Sequence, residues 1–226
     1  MAGTPLVRWL RATAAVEPAR QDFAERLSLW LGPVDALRLR ALHQTLQPVV
    51  PVGSPRWSAP PDDLEARVAQ ARATVEAAIR QALPRPAAEP GPGPDAPPAV
   101  PTYAAYRQRH AALQRQMAAT ATALRAQLRQ ALAQASPGLR QLATLDAVLE
   151  PMTAEREPRL WAGVSAVLAQ RFEALHTPAD GQGANRDGLR RFEQEWTSAL
   201  LAEWDARLGP VLGLLEAWRH NQEIEA

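Results

Sequence analysis

The stretch TYAAYRQRHAALQRQMAATATALRAQLRQALAQA, residues 102–135, decides the fold class. Tyr106, Leu113, Met117, Leu124, Leu128 and Leu132 recur at helical spacing, so they fall on one side of a helix and leave arginine, glutamine and alanine on the other. Thr102 is placed to cap it, and at about 1.5 Å per residue the helix would be roughly 50 Å long. Nothing in the chain alternates in the manner of a half-buried strand.

Two more long segments follow. The first runs from Pro137 to about Leu175, with Leu142, Leu145, Leu149 and Met152 in three-four-three spacing, then Leu160, Val164, Leu168 and Leu175. The second runs from Leu189 to about Trp218 and carries Phe192, Trp196, Leu200, Trp204, Leu208, Val211 and Leu215, with a kink expected at Gly209 and Pro210. The glycine-bearing segment HTPADGQGANRDG turns the chain between them. Long helices joined by short turns favour antiparallel packing.

Upstream of residue 102 the helices are shorter. Phe23, Leu27, Trp30, Leu31 and Val34 keep helical spacing, as do Leu64, Val68, Val75 and Ile79 with one gap. Pro5, Pro18, Pro33 and Pro137 suit first-turn positions, where a missing N–H costs nothing, and Thr4 and Ser136 precede two of them as caps. Residues 48–61 and 84–101 are too proline-rich for helix or central strand and read as extended linkers. The expected fold is therefore all-α: an N-terminal group of short helices over 1–83, a flexible linker over 84–101, and an elongated, coiled-coil-like antiparallel helical bundle over 102–226.

Pro151 and Pro158 interrupt the segment LATLDAVLEPMTAEREPRLW, residues 142–161. They lie two helical turns apart, so their bends point nearly the same way and a bowed helix is expected. The alternative is a break that makes 151–158 a loop.

Composition narrows the chemistry. All 25 basic residues are arginine, which removes the P-loop lysine, Schiff-base chemistry and lysine general bases. The absence of cysteine excludes disulfide frameworks, thiolate metal sites and cysteine nucleophiles. The opening residues are broken by Arg8, Arg11 and Glu17, so they lack the apolar run of a secretory signal, and no apolar window is long enough to span a bilayer. The chain reads as soluble and cytoplasmic.

Asp146 and Glu150, four residues apart, could jointly face a metal or a water. Without a histidine on the same face or an H-E-x-x-H or calcium-loop pattern, pairing with arginines is the simpler expectation, with their helix a solvated spine, leucines inward and acids outward. A metal-dependent nuclease built from these acids and those of the last helix is the weakest of the functional alternatives. His43, His110, His176 and His220 fall near helix ends or polar faces and suggest no catalysis. No nucleophile elbow is present, and the G-x-G of the turn lacks a preceding strand. No cofactor or metal is expected.

Charge is distributed unevenly. From Thr102 to Leu145 there are six arginines and no acid, whereas from Asp146 onward 14 acids face 8 arginines, a net of −6. Arg107, Arg115, Arg125 and Arg129 share an arc beside the apolar stripe, a candidate interaction surface for phosphate, acidic lipid or a carboxylate-rich protein. The favoured reading is that the strip meets the acidic part of its own chain or of a second copy. Of the seven tryptophans, Trp30, Trp196, Trp204 and Trp218 fall at or near core positions, while Trp57, in the first proline-rich segment, either folds back onto the bundle or is offered to a partner as part of the candidate interaction surface.

The blocks DFAERLSLWLGPVDALRL, YAAYRQRHAALQRQM, SPGLRQLATLDAVLE, AQRFEAL and LLAEWDARLGPVLGLLEAW occur in the order found in an uncharacterised family of betaproteobacterial proteins that the chain resembles. That family looks like an accessory of Zorya-type antiphage defence systems of the third type, encoded beside a MotA/TolQ-like membrane protein and an OmpA/MotB-like partner. The resemblance implies a non-enzymatic cytosolic accessory or scaffold that contacts the motor and a second accessory protein, is recruited to the inner membrane by its partners, and is open to homo-oligomerisation. The alternative is a nucleic-acid-binding effector using the arginine strip.

Overall fold

A computed structural model describes residues 4–14, 32–45, 63–84, 101–176 and 186–225. Among these residues the chain is all-α, with no strand: α1 (Pro5–Thr13), α2 (Pro33–Thr45), α3 (Asp63–Gln81), α4 (Tyr103–Gln134), α5 (Pro137–Ala154), α6 (Glu157–His176) and α7 (Arg186–Glu225). Long helices pack as a bundle, as the three-and-four spacing predicts. The expected helix after Pro18 as far as Leu31, residues 177–185 of the glycine-bearing segment, both proline-rich segments apart from Pro84 and Pro101, and Trp57 lie outside the described residues.

Proline placement sets the helix starts. Pro5 opens α1 behind the Thr4 cap, whose hydroxyl accepts the Val7 N–H. Pro33 opens α2, and Pro137 opens α5 behind Ser136, whose Oγ accepts the Leu139 N–H at 3.3 Å. Each proline occupies a position where an amide proton would have had no helical acceptor.

Helix ends use arginine. The last turns leave carbonyls without helical donors, and three of these are met by side chains. Arg109 donates to the Ala82 carbonyl beyond α3 at 3.2 Å, Arg140 to Ala133 in the last turn of α4 at 2.9 Å, and Arg156 to Met152 in α5 at 2.5 Å. A cation at a helix C-terminus also meets the negative end of the helix dipole.

The chain divides into two compact units, each drawn from three stretches of sequence. Unit 1 comprises residues 1–15, 70–120 and 161–207. Its core holds Val75, Ile79, Tyr106, Leu113, Met117, Val164, Leu168, Phe172, Phe192, Trp196, Leu200 and Trp204, all buried. Tyr103 and Tyr106 of α4, Phe172 of α6 and Phe192 and Trp196 of α7 form an aromatic cluster with centroids 5.0–6.5 Å apart, mostly edge-on or tilted. Such geometry places ring edges against ring faces. Within this unit α4 and α7 run in the same direction, since Tyr106 meets Glu193 while Gln114 meets Glu203.

Unit 2 comprises residues 16–69, 121–160 and 208–226. Leu64, Val68, Leu124, Leu128, Leu132, Leu139, Ala143, Met152, Leu208, Val211, Leu214, Leu215 and Trp218 are its buried apolar side chains, with Leu42 of α2. A two-residue turn folds α5 back along α4, and α2 packs on α5.

The segment 142–161 departs from expectation in three ways. It is neither one bowed helix nor a loop over 151–158: Pro151 sits inside α5, the break falls at Glu155 and Arg156, and Pro158 occupies the first turn of α6. Pro158 thus falls in a first turn, where its missing N–H has no helical acceptor, while Pro151, like Pro210 in α7, is accommodated inside a helix. At the joint the Arg156 N–H turns to the Thr153 carbonyl, which strands Met152, and the Arg156 guanidinium repairs that loss. Second, the acids do not all face solvent, because Asp146 is buried and Glu150 half-buried, while Leu142, Leu145 and Leu149 are only half-buried. Third, Leu160 is 49% exposed, because α6 begins a new helical phase.

Pro210 lies inside α7, which runs unbroken from Arg186 to Glu225. Among the described residues no helix is long and apolar enough to cross a membrane.

Candidate functional site

The arginine strip of α4 divides into two parts. In unit 2, Arg125 donates from Nε and Nη2 to the Asp146 carboxylate at 2.7–3.0 Å. Arg129 donates to Asp146 at 3.3 Å and to Glu150. The four side chains are 10–23% exposed, so charge and desolvation are balanced inside the α4–α5 hairpin. Two arginines and two acids, each pair one helical turn apart, face one another across the hairpin, so that each arginine lies within 4.0 Å of both carboxylates. Asp146 and Glu150, the acids weighed for metal chemistry, are thus the partners of two of the candidate surface arginines.

In unit 1, Arg107 and Arg115 stand exposed on the face of α4 opposite its core. Their neighbours on that face are Gln108, Ala112 and Gln116, with no acid. These two remain a surface feature, and Trp57 lies outside the described residues.

Sequence reading missed a second polar centre, in unit 1. His110 was expected near a helix end or polar face, and it is instead 3% exposed, one turn along α4 from Tyr106. Its Nε2 lies 3.2 Å from Oε2 of Glu203, a carboxylate with no exposed surface at all. Gln114, one turn further, donates to the same oxygen at 3.1 Å. Arg207, one turn along α7 from Glu203, donates to Oε1 from Nε at 3.0 Å and from Nη2 at 2.8 Å. The guanidinium lies 4.2 Å from the Trp161 ring centroid, a cation–π contact with α6.

The protonation pattern follows from the donors. Burial pushes the Glu203 carboxyl up, but the bond from His110, the Arg207 charge and hydrogen bond, and the Gln114 amide outweigh it and hold the group below its ordinary 4.5. An ionised carboxylate only accepts, so His110 carries its proton on Nε2. Four donor atoms saturate Glu203, which ties α4 to α7, and Arg207 carries the link on to Trp161 of α6. A general base needs a reachable substrate proton, and this carboxylate's oxygens are engaged within the fold. Trp204, beside Glu203 in sequence and fully buried, has an indole N–H with no acceptor among the described residues.

Around these centres smaller pairs tie elements together. The Tyr106 hydroxyl donates to Glu193 at 2.7 Å, and burial, together with that bond, pushes the phenol well above its ordinary value. Arg171 forms a fork with Glu195 at 2.7 and 2.8 Å. In unit 2, Arg156 donates to Asp35 of α2 at 3.0 Å and, with the Gly32 N–H, holds that carboxyl below its usual range. Glu193 also lines a surface groove of about 390 Å³ with Leu83, Arg190, Gln194, Thr197 and Ser198. Among the described residues no group of three or more histidine, aspartate or glutamate side chains is disposed to hold a metal ion.

The model of a family described as "Protein of unknown function (DUF3348)" matches residues 1–220. No curated protein and no solved structure matches the chain.

Proposed function

We propose, from the premise that the chain belongs to the DUF3348 family, that it is a non-enzymatic helical scaffold acting through protein–protein contacts. The observation that carries this reading is the engagement of its charged side chains within the fold. Arg125 and Arg129 are matched by Asp146 and Glu150, and Glu203 is saturated by His110, Gln114 and Arg207. What these centres do is fix helices against one another. What remains for a partner is helix surface, with Arg107 and Arg115 on α4 as its charged marks.

The resemblance of the blocks at 136–150 and 208–218 extends the proposal to a setting. In it the partners are the motor and second accessory protein of a membrane-motor-linked antiphage defence system, and the scaffold works on the cytoplasmic side of the inner membrane. That extension rests on the sequence blocks alone.

The nucleic-acid reading is weakened by one observation: two of its four phosphate contacts, Arg125 and Arg129, already hold carboxylates. To bind phosphate they would have to abandon partly buried partners, which costs several kcal/mol. The test is affinity purification of the tagged full-length chain from cells carrying its gene neighbourhood, with and without nuclease. Stoichiometric protein partners retained after nuclease support the proposal, and recovery only of nucleic acid, or of nothing, overturns it.

A further inference from the structure

We propose that α1 is a peripheral anchor that lays the protein on an anionic membrane surface. The helix is short but strongly two-sided. On a helical wheel Trp9, Leu6, Leu10 and Val7 fill one arc, and Arg8 and Arg11 fill the arc that adjoins Val7. In the folded chain this apolar side is only partly covered. No residue of α1 is buried, Leu6, Trp9 and Leu10 are intermediate, and Val7 is 37% exposed. A helix docked solely to stabilise a core would hide such side chains, whereas this one keeps an apolar margin beside two exposed arginines.

Two further observations select the partner. Residues 1–16 carry two arginines and no acid, so the segment is cationic without an internal counter-charge, and among the described residues neither Arg8 nor Arg11 has an ion-pair partner. The complementary surface is therefore anionic. Trp9 supplies the second: its half-buried ring stands on the apolar arc, and tryptophan is the side chain most enriched at the boundary between acyl chains and headgroups. Arginines on the polar side, leucine, valine and tryptophan on the other, and a modest length together describe a helix that lies in the interface plane rather than crossing it.

Prepared end-on by Thr4 and Pro5, the helix is already formed before contact. Docking then costs little ordering entropy. Arginines near an anionic surface each contribute about fivefold to partitioning, so the pair is worth roughly thirty-fold.

The test is flotation of the full-length protein with vesicles of phosphatidylcholine alone and of equal parts phosphatidylcholine and phosphatidylglycerol. Three chains are compared: the parent, Val7→Asp, and Arg8→Gln with Arg11→Gln. All the changed side chains are exposed, and far-ultraviolet circular dichroism checks that the helices survive. The expected result is flotation of the parent with the anionic vesicles only. Neutralising the arginines lowers it roughly thirty-fold, Val7→Asp abolishes it, and raising salt until the Debye length is about 3 Å weakens it. Failure of the parent to float, equal flotation with uncharged vesicles, or unchanged flotation of both variants overturns the proposal. A protein partner for α1 would give the first of these outcomes.

Discussion

Replacing Glu203 by glutamine changes one oxygen to a nitrogen and should be among the most damaging single substitutions in unit 1. The side chain keeps its shape, but its new NH₂ must face either Arg207 or the donors of His110 and Gln114, all of which sit within 3.2 Å of the carboxylate. The Arg207 guanidinium, whose side chain is 6% exposed, loses the carboxylate that accepts from both its Nε and its Nη2. Removing one partner of a buried ion pair costs about 3–5 kcal/mol, because the other charge stays buried and uncompensated. For a chain of this size that corresponds to a fall in Tm of roughly 6–20 °C. Urea and thermal unfolding, followed by tryptophan fluorescence, measure it. Replacing both Glu203 and Arg207 by leucine should cost less than the sum of the single leucine substitutions, by about 1–3 kcal/mol of coupling. The pH dependence has a fixed sign. Glu203 is held below its ordinary 4.5 in the folded state, so unfolding takes up a proton in the acid range. Its contribution is fully present above that ordinary value and fades as pH falls through the folded one. A Glu203→Gln variant within about 0.5 kcal/mol of the parent, the scatter expected of surface changes, would refute the account of this centre.

Three other perturbations bear on neighbouring parts of the account. Asp146→Asn should destabilise the α4–α5 hairpin by about 1.5–3 kcal/mol, the loss typical of hydrogen bonds to charged groups, seen as a lower urea midpoint, and exchanging Arg125 and Asp146 should restore part of it. Arg156→Ala removes both the Met152 cap and the Asp35 partner, so amide exchange across 33–45 and 149–154 should accelerate while the core of α7 stays protected. Tyr106→Phe should cost about 0.5–1.5 kcal/mol through the lost bond to Glu193. In the parent, burial keeps the Tyr106 phenol protonated beyond the ordinary tyrosine range, so its tyrosinate absorbance should emerge only as the protein unfolds in alkali.

Much of the fold is legible because its determinants are local. The apolar positions read from α4 and from α7 are all buried, since helical periodicity and a single packed side are properties of contiguous sequence. Pro5, Pro33 and Pro137 mark helix starts for the same reason. The polar centres depend on distant partners and were read only in part. Pairing of Asp146 and Glu150 with arginines follows from the charge asymmetry of α4 and α5. That the pairing turns Asp146 inward and leaves Leu142, Leu145 and Leu149 half-buried does not, because it depends on α4 facing the same side. His110 had a signal, lying in phase with Tyr106, Leu113 and Met117, and so did Glu203 and Arg207, which fall within the arc of Trp196, Leu200 and Val211. Polar residues in core phase demand partners, and those partners lie as far as 93 residues away in sequence.

The central claim is that this chain works by holding other proteins. Conventional amine-directed cross-linking is poorly suited to a chain without lysine, so the direct measurement places a photo-reactive residue at position 115, exposed on the acid-free face of α4, in cells carrying the gene neighbourhood. The account predicts a discrete protein adduct at position 115 that persists after nuclease and is absent when the group is placed at buried position 117. Adducts confined to nucleic acid, or none at position 115, would contradict it.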